Sequence, residues 1–183
     1  MTSQISPFVR RIRRYWHEYG GYKGTIFSPL FIFSMLMSLA SYSWWIFDEW
    51  RTLALSLIPS LLGFSLGTYA ILFSLMTNRL KKSLRAVSNE RGVPFLKEIN
   101  ATFFHFIFVQ VIALFWAISS KSTLIFDALS LVYDQSYIRK ALVGPSMISG
   151  FIGIFLTLYS VSLIVGAAMV VYRIASIVDP GED

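Results

Sequence analysis

Residues 53–76 read LALSLIPSLLGFSLGTYAILFSLM, an apolar stretch with no charged residue. At 1.5 Å per residue, a helix of about 24 residues crosses the roughly 30 Å hydrocarbon core of a bilayer, so the stretch predicts a membrane-spanning helix. Ser60, Gly63, Gly67, Ala70 and Ser74 recur in it at steps of three and four, which places them on one helical face. Gly63 and Gly67 form a Gly-x-x-x-Gly pair. Such a pair lets two helix backbones approach closely in lipid, where association has no hydrophobic drive. The face predicts tight packing, either between copies of the chain or inside one bundle.

The rest of the chain is consistent with that helix. With 183 residues there is room for one domain, and the 55% hydrophobic fraction exceeds the about 45–50% usual for soluble proteins. An all-α integral membrane protein follows. The formal charge of +6 is divided among the segments between apolar runs, which suits anionic lipid headgroups better than one nucleic-acid-binding face. No cysteine is present, so thiolate metal sites, disulfides and cysteine nucleophiles are excluded.

Residues 1–24 are basic, and Ile5, Phe8, Val9, Ile12 and Trp16 recur among Arg10, Arg11, Arg13 and Arg14, as in a helix lying in the membrane interface. A removed signal peptide is not expected, because the following apolar run is too long for one and lacks a clear cleavage site. The first span is predicted over 26–47, with Pro29 in its first turn and Trp44, Trp45 and Trp50 as an interfacial belt. A short polar link makes it a hairpin with the second span, 53–76, which Pro59 is placed to kink. The basic segment 77–97 carries Arg79, Lys81, Lys82 and Arg85, a surface for lipid or for a soluble partner.

The third span, 99–119, contains Asn100, His105 and Gln110. His105 is a candidate for a helix-to-helix hydrogen bond or for proton relay. In segment 120–146, Leu124, Ile125, Ala128, Leu131 and Val132 suit a short amphipathic helix at the opposite interface, and Asp127 and Asp134 could ring an entrance in an assembly. The fourth span, 147–172, repeats the small-residue device with Gly150, Gly153, Thr157 and Ser160. Twelve Lys and Arg fall on the side of the termini and the 77–97 loop against four on the other, so the positive-inside rule predicts an N-in, C-in four-helix bundle.

No phosphate-binding Gly-rich loop, His-Glu-x-x-His pair or convergent Ser, His and Asp set occurs, and neither catalytic residue, cofactor nor metal site is expected. Four helices fill their own interior with side chains, so a pore requires several copies, with a tetramer expected. Ser65 and Thr68, beside the glycine pair, and His105 are candidate pore-lining residues, and apolar rings could gate by dewetting. A non-conducting membrane anchor or sensor that recruits a cytosolic partner through residues 79–97 is the alternative. Direct nucleic-acid binding is not expected, and the basic cytoplasmic face is the one place for it.

The run Gly63-Phe64-Ser65-Leu66-Gly67-Thr68-Tyr69-Ala70-Ile71-Leu72-Phe73-Ser74, followed by basic residues, resembles the second-helix signature of small four-span bacterial proteins of antiphage-defence operons. The membrane effector of Hailong systems and the membrane component of Kiwa systems are of this kind. The resemblance covers about 25 residues plus the overall topology. It implies an inner-membrane effector, held closed beside a cytosolic enzyme or sensor encoded nearby, that depolarises the membrane on infection and stops growth.

Overall fold

The computed structural model describes residues 2–120, 122, 124–131 and 134–178, and among them every regular element is helical. The acidic tail (Asp179, Glu182, Asp183) and Val132 lie outside the described residues. The elements are α1 (Thr2–Tyr19), α2 (Gly21–Ile26), α3 (Pro29–Ala40), α4 (Tyr42–Ile46), α5 (Trp50–Leu75), α6 (Asn78–Ala86), α7 (Phe95–Ser119), α8 (Leu124–Ser130) and α9 (Gln135–Val178). Three helices, α5, α7 and α9, are long and apolar enough to cross a membrane, so the chain has the character of a multi-pass membrane protein.

The bundle is assembled around α9, which packs on α3, α4, α5 and α7. One core cluster joins Phe95, Ile99, Phe103 and Phe106 of α7 to Tyr159, Leu163 and Ala167 of α9, with Leu30 and Phe31 of α3 against it. The other joins Trp50, Ala54 and Ile58 of α5 to Ala113 and Ala117 of α7 and Ile154 of α9, with Trp45 against it. Residue numbers rise from the first cluster to the second along α3–α4 and α7, and fall along α5 and α9. The α3–α4 pair, α5, α7 and α9 therefore run alternately up, down, up and down.

Three sequence expectations change. The first span is not one helix over 26–47. Pro29 starts α3 afresh after Ser28, and Ser41 breaks the helix again, with the Trp45 indole N–H donating to the Ser38 carbonyl (3.2 Å) beside the break. The fourth helix begins at Gln135, a dozen residues before the expected 147. Pro145 is accommodated inside it because residues 143–148 are exposed, so water can satisfy the carbonyl that proline leaves without a donor. Trp50 is also no belt residue: it is 1% exposed and lies under α9.

The basic segment is ordered. Thr77 caps α6, accepting the Leu80 N–H (3.2 Å), and Leu84 buries the helix's apolar side against the first cluster. A tight turn follows, in which Asn89 Oδ1 accepts the N–H groups of Arg91 and Val93 (both 3.0 Å) and Gly92 has φ 74°.

Candidate functional site

The small-residue face of α5 points away from the bundle. Ser60, Gly63, Gly67, Ala70 and Ser74 are all exposed, and a Cβ added at Gly63 or Gly67 would meet nothing within 4 Å. Phe64 and Ile71 flank the strip and are exposed too. An apolar helix of membrane-crossing length thus keeps an open, backbone-close strip, which is the geometry a second helix can occupy.

The equivalent face of α9 is taken up inside the protomer. A Cβ on Gly150 would stand 2.5 Å from the Trp45 carbonyl oxygen, and one on Gly153 would run into the Trp50 ring. The two glycines are notches that receive the two tryptophans. Thr157 and Ser160 are buried, and their hydroxyls donate to the carbonyls of Gly153 (2.8 Å) and Leu156 (2.7 Å) of their own helix.

Several interior polar side chains are paired across helices. Ser65 is 3% exposed, and its oxygen accepts from the Gln110 amide Nε2 (3.0 Å); Thr68 is half-buried. Ser65 thus bridges α5 to α7, as does the Tyr69 hydroxyl on Asn100 Oδ1 (3.1 Å). The Ser34 hydroxyl reaches Ser162 (2.9 Å), tying α3 to α9.

His105 is the best-connected interior polar group. Its Nδ1 is 2.6 Å from the Tyr15 hydroxyl and its Nε2 2.9 Å from the Tyr159 hydroxyl, and Tyr19 stacks on the ring with centroids 4.0 Å apart. A neutral imidazole offers one donor and one acceptor, and two hydroxyls satisfy both. This is the helix-to-helix bond expected for His105, with α1 as an added participant. His105 lies eight residues after Lys97, about 12 Å along α7. Tyr15 and Tyr159 were not singled out in the sequence. Tyr15 shares a face with Ile12 and Tyr19, which signals an apolar side of α1 but not its partner.

The basic residues face outward. Arg10, Arg11, Arg13, Arg14, Arg79, Lys82 and Arg85 are exposed, and Lys81 is half-buried along α6. Asp127 is exposed on α8. Asp134 opens α9: its carboxylate accepts the Ser136 hydroxyl and the Ser136 N–H (3.0 Å). Those bonds, the hydroxyl's first, hold its pKa below the ordinary value. Among the described residues no group of three or more His, Asp and Glu side chains is placed to hold a metal ion.

No known protein family, curated protein or solved structure matches this chain.

Proposed function

We propose that the chain is one subunit of a homo-oligomeric, gated ion-conducting assembly in a bacterial inner membrane, with a tetramer as the expected stoichiometry. The observation that carries the reading is the open small-residue face of α5 beside a protomer interior filled by its own side chains. A single copy leaves that strip to lipid, whereas several copies can pack on it and enclose a path among them. In this reading α3 and α4 together supply a fourth crossing: residues 29–46 rise about 27 Å, close to the hydrocarbon thickness. The Lys and Arg asymmetry puts both termini and α6 in the cytoplasm. Depolarisation as antiphage defence rests on the resemblance of residues 63–74.

The packing also revises which side chains line the path. Ser65 and His105 are engaged inside the protomer, so exposed Ser60 and the flanking Phe64 and Ile71 are the better lining candidates. A second reading, a non-conducting anchor or sensor, draws on α6, which docks through Leu84 and turns Arg79, Lys82 and Arg85 outward for a soluble partner.

Gly67→Leu tests the assembly: its oligomer in detergent, sized by cross-linking, is expected to fall apart. An unchanged size removes α5 from the interface. A voltage-sensitive dye in cells carrying the chain, its genomic neighbour and the natural trigger tests conduction. Depolarisation on triggering, absent in Gly67→Leu, supports the pore, and a constant potential during demonstrable activity leaves the anchor.

A further inference from the structure

We infer that the junction between α1 and the turn preceding α7 is a binding site for a phosphate group carrying two negative charges. A cavity of about 390 Å³ opens there, lined by Arg13, Trp16, His17, Gly20, Gly21 and Arg91. That volume falls in the range of small-ligand and headgroup sites.

The site is constructed by backbone that glycine favours. Gly20 and Gly21 have φ 119° and 61°, and these two left-handed residues end α1 and reverse the chain so that its last turn looks back at residues 89–93. The Arg91 guanidinium packs directly on Gly20, where a Cβ would collide with Nη1, and Trp16 Nε1 would stand 3.6 Å from a Cβ on Gly21. Arg91 is presented by the Asn89-bonded turn, whose closing bond runs from the Gly92 N–H to the Asn89 carbonyl (2.9 Å). Two rigid turns therefore bring Arg13 and Arg91, 78 positions apart in the chain, to one cavity.

The residues lining the cavity carry charge of one sign, although Arg91 also pairs with Glu98 outside the lining. None of the lining residues is acidic, and the one carboxylate that reaches Arg91 is Glu98, at 3.5 Å. Two guanidinium groups with free donor capacity, an imidazole and an indole N–H match the planar forks and extra donors that recognise a phosphate. A phosphomonoester carries the charge to pair with both arginines, whereas a diester carries half of it. The inference deepens the reading of the basic face as the side that meets anionic headgroups, and it does not depend on ion conduction.

Full-length protein in detergent would be titrated with short-chain phosphatidic acid, phosphatidylglycerol and phosphatidylcholine, and retained lipid read by native mass spectrometry. Phosphatidic acid is expected to bind at least about tenfold more tightly than the other two. Arg91→Gln and Arg13→Gln should each weaken it about tenfold, and Lys140→Gln, on α9 and not among the lining residues, should leave it unchanged. Circular dichroism and oligomer size report that each variant is folded. Inorganic phosphate added at millimolar concentration separates the sources. Displacement of the lipid means the site reads a free phosphate as well, and retention means it reads a lipid phosphate at the membrane surface; each supports the site. Equal retention of all three lipids, or a Lys140→Gln loss as large as that of Arg91→Gln, overturns it. The oligomer and voltage tests above address the assembly separately, so either idea can fail alone.

Discussion

Gly153→Ala adds one methyl group at the place where α9 crosses the indole of Trp50. The added Cβ would fall on the six-membered part of that ring, and Trp50, 1% exposed among Ala54, Ile58 and Ile154, has no vacant space to enter. Overpacking of this kind costs typically 1–3 kcal/mol, and the contact with a rigid ring favours the upper part of that range. Alanine's better helix propensity returns at most about 1 kcal/mol. The expected net loss is about 2 kcal/mol, a roughly thirtyfold shift towards the unfolded state. Unfolding of the monomer in mixed micelles, followed by tryptophan fluorescence, measures it. Gly63→Ala is the control, because its Cβ meets nothing within 4 Å and only the propensity gain remains, so it should match the parent chain or exceed its stability by up to about 1 kcal/mol. Trp50→Leu combined with Gly153→Ala should destabilise less than the sum of the single changes, since the smaller side chain vacates the collision. Equal stability of Gly153→Ala and Gly63→Ala would refute the assignment of the α9 glycines to the protomer core.

Ser65→Ala leaves the Gln110 amide without its acceptor and is expected to cost about 1–3 kcal/mol in the same assay. Gln110 Oε1 already lacks a hydrogen-bond partner, so Ser65→Ala with Gln110→Leu should recover most of the loss, and an additive double variant would count against the pairing. Tyr15→Phe removes one hydroxyl from His105, worth about 1 kcal/mol, and should make α1 about fivefold more open to tryptic cleavage at Arg10–Arg14 while the bundle melts normally. Unchanged cleavage would mean that α1 is held by its rings alone.

Much of the helical layout was legible because long apolar stretches have one physical solution in lipid. The second and third spans expected at 53–76 and 99–119 correspond to α5 and α7 within a few residues. Where the expectation missed, local chemistry was decided by tertiary contact. The Ser41 break depends on Trp45 turning back onto Ser38, and the early start of α9 depends on exposed surroundings that tolerate Pro145. The two small-residue faces look alike in sequence, yet one receives tryptophans and the other is open. That difference lies in where Trp45 and Trp50 fall, fully 100 residues before Gly150 and Gly153. His105 was visible as an interior polar residue, but its partner Tyr15 is 90 positions away and has no spacing that points to it. The cavity at Arg13 and Arg91 was equally hidden, because its lining comes from two segments far apart in the chain.

Among the described residues the buried polar side chains are serines, Thr157, Gln110 and His105, with no Asp, Glu, Lys or Arg. Ionic strength therefore acts on this molecule from outside only. Between 0.15 M and 1 M salt the screening length shrinks from about 8 Å to 3 Å, which weakens the hold of Arg79, Lys82 and Arg85 on any anionic surface. The packing of α3, α5, α7 and α9 is mostly uncharged, although Arg51 bonds to Ser120 and Arg173 lies over Phe95 between them. A salt wash should strip whatever binds the basic face while the helix contacts stay intact. Binding at the basic face is thus separable from the helix packing by salt alone.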